Sequence, residues 1–295
     1  MTMRSNRYFF FIFLGVLFIG LLVWRLSSFT SRSVGFNGQR AYQDVITQVA
    51  FGPRIPESQA HAKTVSYIQE ELLKANWKVS VQNTSWRGFS VENIIASHSN
   101  QTPEIVIGAH YDSRMLADQD QGLGHLNPVP GANDGASGVA ILLELARTLP
   151  IENNSTGLVF FDAEDNGELA GRDWIMGSRA YVAELKYRPS AVIIVDMVGD
   201  KDLNIYMERN SNTTLSTEIW EQAAKLGYGK QFIPTIKYSM LDDHTPFLEA
   251  GIPAVDIIDF DYPFWHTSAD TPDKVSPKSL QTVGETLRVW INLQK

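Results

Sequence analysis

The chain has 295 residues, of which 44% are hydrophobic, which suits one large domain with a short appendage. Its formal net charge of −8 and the lack of any basic run argue against nucleic acid as a partner. The sequence contains no cysteine, which excludes disulfides, thiolate metal ligands and a cysteine nucleophile. Any bound metal must therefore be held through oxygen and nitrogen atoms.

The first 25 residues predict an N-terminal transmembrane helix that serves as a signal anchor. Residues 8–24 (YFFFIFLGVLFIGLLVW) are almost wholly apolar, and arginines flank the run on both sides. A run of this length lies near the short end of the roughly 17–25 residues that span a bilayer. No small-residue cleavage pattern follows it, which favours an uncleaved anchor over the alternative of a cleaved signal peptide. We therefore expect a membrane-anchored protein with an extracytoplasmic catalytic domain.

Residues 26–38 are mostly small and polar, and they predict a linker to a catalytic domain over residues 39–295. The first part of that domain predicts two helices followed by two antiparallel strands. The helices are expected at 39–49 and 58–75, and the strands at 78–86 and 91–97.

From Glu104 onward, buried strands alternate with helices. Continuous apolar runs predict strands buried on both faces at 105–109, 158–161, 191–198 and 254–258. Amphipathic or capped segments predict helices at 138–149, 216–226, 244–250 and 276–293. This alternation predicts an α/β fold, with a mixed, mainly parallel central sheet and helices on both faces.

Six short clusters of acidic residues and histidines recur along this part of the chain, four of them directly or shortly after a predicted buried strand. Ligands of open α/β sheets bind outside the carboxyl ends of the strands, so these clusters are expected to meet at one edge. Carboxylates and imidazoles held there would suit a zinc ion. The clusters are HYDS at His110–Ser113, GANDGASG around Asp134, FFDAED ending in Glu164 and Asp165, IVDMVGD around Asp196, LDDH at Asp242–His244, and FWHT around His266.

Each of these residues also has an ordinary structural interpretation. Asp134 precedes a helix and could serve as its N-cap, and Asp196 could hydrogen-bond neighbouring backbone. His110 and His266 could each be a buried histidine with satisfied hydrogen bonds. The recurrence of such residues at strand ends in one half of the fold favours a metal site over four separate coincidences.

The adjacent carboxylates Glu164 and Asp165 are the most specific element of the pattern. Neighbouring carboxylates repel each other, and burying both is costly unless a cation compensates. Their side chains diverge after a strand, so one can bind metal while the other acts as a base beside the substrate.

These motifs resemble the superfamily of zinc aminopeptidases and glutaminyl cyclases, over roughly residues 40–293. The resemblance implies that Asp134, Asp165 and His266 are zinc ligands and that Glu164 is the acid/base. The usual ligand after the base in that superfamily is glutamate, whereas this chain has the shorter Asp165. The resemblance also implies that the substrates are peptide or protein N-termini.

Two branches of the superfamily remain open. Resemblance to the dizinc aminopeptidases implies a second zinc on His110 and Asp196, with Asp134 bridging the two ions. Resemblance to the glutaminyl cyclases implies one zinc, with Asp196 and Asp242 hydrogen-bonded in a network with Glu164.

The segments HYDS, ELARTL, GSR and DDHTPFLEAGIP favour the cyclase branch, as does the Trp265–His266 pair. Trp265 is then expected to form an apolar wall of the substrate pocket, and Trp174 a second wall. Leu241 and Asp256 depart from the animal cyclases, which carry glutamine and histidine at these positions. The expected function is conversion of N-terminal glutamine to pyroglutamate; the alternatives are removal of N-terminal residues, or binding without catalysis.

Overall fold

The structure is a computed structural model that describes residues 35–98, 102–151 and 155–294. The predicted anchor, residues 1–25, and the predicted linker up to residue 34 lie outside the described residues. Within the described parts of the chain, every helix is too short or too polar to cross a bilayer. Residues 35–38, the end of the predicted linker, belong to the compact catalytic unit, in which Phe36 is buried.

A six-stranded sheet lies at the centre of the catalytic unit, with strand order β1-β2-β4-β3-β5-β8. β4, β3, β5 and β8 run parallel to one another, while β2 pairs antiparallel with β4 and β1 pairs antiparallel with β2. This confirms the predicted mixed, mainly parallel sheet. The strands are β1 (Lys78–Trp86), β2 (Phe89–Ser97), β3 (Ile105–His110), β4 (Thr156–Phe161), β5 (Ala191–Asp196), β6 (Ile205–Met207), β7 (Phe232–Ile236) and β8 (Ala254–Ile258).

Helices cover both faces of this sheet, as the sequence predicted. The α-helices are α1 (Gly38–Ala50), α2 (Gln59–Lys74), α3 (Ala136–Thr148), α4 (Met176–Glu184), α5 (Thr213–Lys225), α6 (Thr245–Glu249) and α7 (Pro277–Leu293). The larger hydrophobic cluster joins one face of the sheet to α1, α2, α3, α5 and α7. A smaller cluster joins the other face to α4 and α6.

The unbroken apolar runs of the inner strands explain why two clusters form. Successive side chains of a strand point to opposite faces. Accordingly, Ile107 and Phe160 belong to the larger cluster, and their neighbours Val106 and Phe161 belong to the smaller one. Both faces of the inner strands are therefore buried, which fixes the strand ends firmly.

Several boundaries differ from the predicted ones for local reasons. Helix α2 begins at Gln59 because Ser58 is its N-cap and accepts a hydrogen bond from the His61 N–H. Strand β5 ends at Asp196 because Met197 has a left-handed φ of 47°. Helix α4 and the two-stranded parallel sheet of β6 and β7 were not predicted, since these segments are short and their apolar pattern is weak.

Candidate metal centre and substrate pocket

The predicted site residues lie at one edge of the central sheet, where its parallel strands end. His110 is the last residue of β3 and Asp196 the last of β5, while Glu164 and Asp165 follow β4. His266 comes after β8. Because these four strands are parallel neighbours, their carboxyl ends meet at the same edge.

Asp134 reaches this edge from the turn before α3. Gly135 is the N-cap of α3 and has a φ of 91°; a Cβ atom there would lie 2.6 Å from the carbonyl oxygen of Asp112. Only glycine adopts this turn without strain. The Asp270 carboxylate holds the main chain by accepting hydrogen bonds from the Asn133 and Asp134 N–H groups, at 2.9 and 3.1 Å. The Asp134 side chain therefore remains available for a ligand instead of capping the helix.

Asp134, Asp165 and His266 form one group of potential metal ligands, as the resemblance implied. One ligand atom from each lies within 4.8 Å of the others, and all three residues are buried. His266 Nε2 is 2.8 Å from Asp165 Oδ1 and 3.8 Å from Asp134 Oδ2. Asp134 Oδ2 and Asp165 Oδ2 are buried and accept no hydrogen bond from any described residue. Because buried carboxylate oxygens are normally hydrogen-bonded, these orphaned atoms and the mixed nitrogen and oxygen donors fit a zinc ion.

His110, Asp134 and Asp196 form a second group that shares Asp134 with the first. His110 Nε2 lies 3.2 Å from Asp134 Oδ1 and 3.1 Å from Asp196 Oδ1. The structure therefore brings together both predicted ligand groups, and Asp134 belongs to both of them. The geometry accommodates either one or two ions.

Asp112, whose role the sequence analysis missed, fixes the turn that carries Glu164 and Asp165. Its carboxylate accepts hydrogen bonds from the N–H groups of Glu164 (3.0 Å) and Asp165 (3.2 Å) and from Asn166 Nδ2 (3.0 Å). Ala163 just before them has a left-handed φ of 51°, which turns the chain sharply at the end of β4. The only hint of the role of Asp112 in the sequence is its position two residues after His110.

Arg54 is a second residue that the sequence analysis missed, and it lies fully buried beneath the ligand loops. Its guanidinium donates to the carbonyl oxygens of Tyr111 (2.9 Å), Pro130 (2.8 Å) and Gly131 (2.6 Å). It thereby joins the segment after β3 to the loop that carries Asp134. A single arginine after a Gly-Pro pair gives no pattern from which this role could be predicted.

Glu164 faces a group of carboxyl side chains next to the ligand groups. Burial raises the pKa of Glu164 well above its ordinary value, and the nearby charges of Asp165 and Asp242 raise it further. Burial, together with Asp242 and Asp134, raises the pKa of Asp196 to about 7, although its contact with His110 acts in the opposite direction. Burial and neighbouring negative charge thus favour the protonated forms of these carboxyls, and strongly shifted pKa values are typical of acid/base sites.

Asp242 also belongs to a third group of buried side chains, together with His244 and Asp256. His244 Nε2 is 3.3 Å from Glu208 Oε2, and its Nδ1 is 3.8 Å from Asp256 Oδ2. Burial and then the charge of Asp242 raise the pKa of Asp256 well above its ordinary value. Its carboxyl group is therefore more readily protonated than that of an exposed aspartate, and both of its oxygens are buried without a hydrogen-bond partner among the described residues.

A cavity of about 220 Å³ opens beside the ligand groups. Its polar lining consists of carboxylates and His266, and the remainder of its wall is apolar. Trp265 stacks on the His266 ring with 3.8 Å between centroids, and the Trp174 ring lies parallel to that of His266 at 6.0 Å. The structure therefore places both predicted tryptophans in the cavity wall. The lining residues are Asp134, Glu164, Asp165, Trp174, Asp196, Met197, Met240, Leu241, Asp242, Ile258, Phe260, Trp265 and His266.

Comparison with known proteins agrees with this geometry. The sequence matches peptidase family M28 over residues 93–291. The structure is similar to that of Tannerella forsythia glutaminyl cyclase, with 34% sequence identity and a TM-score of 0.82, over 89% of this chain and 100% of that one. It is also similar to a leucine aminopeptidase precursor from Bacteroides thetaiotaomicron, with 31% identity and a TM-score of 0.82, over 90% and 99% of the two chains.

A further relative is named for one of these activities. A glutaminyl-peptide cyclotransferase from Boiga dendrophila is 25% identical in an alignment of 285 positions that spans 81% of this chain and 76% of that protein. The similar proteins thus include both of the activities that the sequence left open.

Proposed function

The chain belongs to peptidase family M28, a family of zinc-dependent enzymes, and within it we propose that this protein is a glutaminyl-peptide cyclotransferase. It would convert the N-terminal glutamine of a peptide into pyroglutamate and release ammonia. The observation that carries this proposal is the shape of the cavity. Carboxylates and the ligand groups form its floor, and two indole rings flank His266 in its wall.

This shape suits an intramolecular reaction. A cavity of about 220 Å³ has room for one glutaminyl residue folded so that its amine approaches its own side-chain amide. Holding the two reacting groups in contact replaces a costly encounter in solution. The apolar part of the wall would limit the access of water, which competes with the amine as nucleophile.

Asp134, Asp165 and His266 would hold the zinc ion at the floor of the cavity. When bound, zinc supplies a Lewis acid that polarises the γ-carbonyl of the glutamine. The Glu164 carboxylate takes a proton from the attacking α-amine as the new N–C bond forms. It then gives a proton to the amide nitrogen as the C–N bond breaks and ammonia leaves.

Asp196 and Asp242 support this proton transfer from the side of the cavity that faces Glu164. Both line the cavity, and the charge of Asp242 raises the pKa of Glu164 and of Asp196. A raised pKa brings Glu164 closer to the working pH, where an acid/base is most effective. Trp265 and Trp174 would hold the aliphatic part of the glutamine side chain against the floor.

A dizinc aminopeptidase is the second candidate, and one observation favours it. His110, Asp134 and Asp196 form a complete second ligand group that shares Asp134 with the first. With both groups loaded, Glu164 would accept a proton from the water that attacks the N-terminal peptide bond.

We also propose that residues 1–25 anchor the protein in a membrane and that the catalytic domain faces out of the cytoplasm. The support is the apolar run of residues 8–24. Protease treatment of intact cells tests the orientation, since an outward domain should be cleaved without lysis. A domain that is digested only after lysis would contradict the proposal.

Product analysis of the purified full-length chain decides between the two activities. The protein is incubated with zinc and with two peptides that begin with Gln-Ala or Leu-Ala. Ammonia release and loss of the free amine from the first peptide, with no free amino acid from either, supports the cyclase. Release of free leucine or glutamine would instead assign the protein to the aminopeptidases.

A further inference from the structure

The loop between β3 and α3 contains an arginine and an aspartate that connect the His266 side of the site to its surroundings. Asp118 Oδ1 lies 3.3 Å from His266 Nδ1, the ring nitrogen that faces away from Asp165. The Asp118 side chain is 34% exposed, whereas His266 is buried. The loop also contacts His266 through its main chain, because the Gln119 N–H donates to the His266 carbonyl oxygen at 3.2 Å.

Arg114 fixes the position of Asp118. Its Nε donates to Asp118 Oδ2 at 3.0 Å, and the Arg114 side chain is only 4% exposed. The same guanidinium donates from Nη1 to the Asp165 carbonyl oxygen at 2.8 Å. Its Cζ lies 4.7 Å from the centre of the Trp174 ring, within the range of a cation–π contact. Arg114 thus contacts Asp118, which neighbours His266, as well as the main chain of Asp165 and the cavity wall at Trp174.

The chemistry of imidazole gives this arrangement a function. A neutral histidine carries its proton on one ring nitrogen and can bind a metal through the other. An acceptor at Nδ1 keeps the proton there and leaves the Nε2 lone pair directed at the ligand group. His110 differs in this respect, since Asp112 Oδ1 lies 3.5 Å from its Nδ1 and makes no hydrogen bond to it. The carboxylate of Asp118 is therefore the closer of the two to the outer nitrogen of a histidine.

We propose that Asp118, held by Arg114, is a positioning residue that sets the zinc-binding tautomer and orientation of His266. The proposal does not depend on whether the enzyme cyclises or hydrolyses its substrate, because it concerns the affinity for zinc. Outer partners of this kind typically change metal affinity by about 10- to 100-fold when they are removed.

Asp120 provides a matched control within the same loop. Its Oδ2 accepts a hydrogen bond from the Ser268 N–H at 3.2 Å, so it ties the loop to the segment that carries His266 without approaching the imidazole ring. Replacing Asp118 or Asp120 removes one negative charge and the hydrogen bonds that the carboxylate accepts, from Arg114 in the first case and from Ser268 in the second. Only the Asp118 change also removes the neighbour of the His266 Nδ1.

The test is a competition titration with a zinc chelator on the full-length protein and its variants. Asp118→Ala should weaken zinc binding by about 10- to 100-fold. Asp118→Asn retains an acceptor oxygen and should lose less, and Asp120→Ala should stay within about threefold of the starting protein. Thermal unfolding of the chelator-treated proteins shows whether either substitution disturbs the fold in the absence of zinc.

Equal losses for Asp118→Ala and Asp120→Ala would overturn the proposal, because the effect would then come from charge or loop anchoring. Unchanged zinc affinity in Asp118→Ala would overturn it as well. The titration of the starting protein comes first, since failure to bind zinc would reject the metal centre itself. Product analysis remains a separate experiment, so failure of the proposed cyclase activity would not change the interpretation of the zinc titration.

Discussion

The two sides of Asp134 contain similar ligands but have opposite surroundings. On the His266 side, a buried guanidinium from Arg114 contacts the main chain of Asp165. On the His110 side, Asp196 lies beside Asp242 and the other buried carboxyls behind it. Each side thus has a histidine, an aspartate and the shared Asp134. The His266 side lies next to a guanidinium group, and the His110 side lies next to further carboxyl groups.

The proposed cyclase function assigns a different task to each side. Burial and the neighbouring carboxylates raise the pKa of Asp196, and burial and Asp134 raise that of Asp165, while the histidine beside each acts in the opposite direction. Under that proposal the His266 side would hold the zinc ion, and Asp196 and Asp242 on the His110 side would support Glu164.

Replacing the base should have the largest effect, because Glu164 lies between the two sides. Glu164→Gln keeps the shape of the side chain but cannot accept a proton, so turnover should fall by about 10²–10⁴-fold. Zinc content should remain unchanged, since the ligands are intact. Ammonia release and metal analysis measure the two quantities. Substantial activity in this variant would reject Glu164 as the acid/base.

Removing each histidine tests the comparison directly. His266→Ala should remove most of the bound zinc, because the fixed ligand group loses its only nitrogen donor. His110→Ala should retain about one zinc per chain, since Asp134, Asp165 and His266 remain. Zinc per chain is measured after dialysis by elemental analysis. Equal loss from both variants, starting from about two ions per chain, would favour the dizinc aminopeptidase instead.

The sequence predicted the sheet, its two layers of helices and the meeting of the acidic clusters because these depend on simple patterns. Short apolar runs predicted β3, β4 and β5, and the acidic clusters followed them directly. Because parallel strands end at the same edge of a sheet, the clusters were expected to meet there. The choice of Asp134, Asp165 and His266 as zinc ligands came from the resemblance to the zinc aminopeptidase and glutaminyl cyclase superfamily.

The supporting residues could not be predicted because they act through backbone and through contacts between distant segments. Arg54 binds carbonyl oxygens about 57 to 77 positions away in the chain. Every residue has a carbonyl oxygen, so a sequence does not show which of them a side chain will bind. Asp118 lies in a loop that resembles many polar loops. Its role becomes apparent only when folding brings it to 3.3 Å from His266.

Replacing Asp242 tests whether the carboxyl groups on the His110 side raise the pKa of Glu164. Asp242→Asn removes a negative charge that helps to raise the pKa of Glu164. The pKa of Glu164 should therefore fall, and the acidic limb of the activity profile should move to lower pH by about half a unit to one unit. Activity at the optimum should fall by about tenfold, because Glu164 becomes a weaker base. A rate profile from about pH 5 to pH 9 measures both effects; an unmoved acidic limb would contradict the proton-holding role.

The smallest expected effects concern the two indole rings, which lie on the His266 side. Trp265 contacts the His266 ring at 3.8 Å, whereas Trp174 lies 6.0 Å from it and also packs under Arg114. Trp265→Phe should raise KM about fivefold, because a smaller ring leaves part of the glutamine side chain uncovered, with kcat changing less. Trp174→Phe should raise KM about twofold, since Arg114 is held by other contacts as well. If Trp174→Phe instead lowered kcat and zinc affinity together, the wall would be coupled to the ligands through Arg114, and the two sides of Asp134 would differ in rigidity as well as in charge.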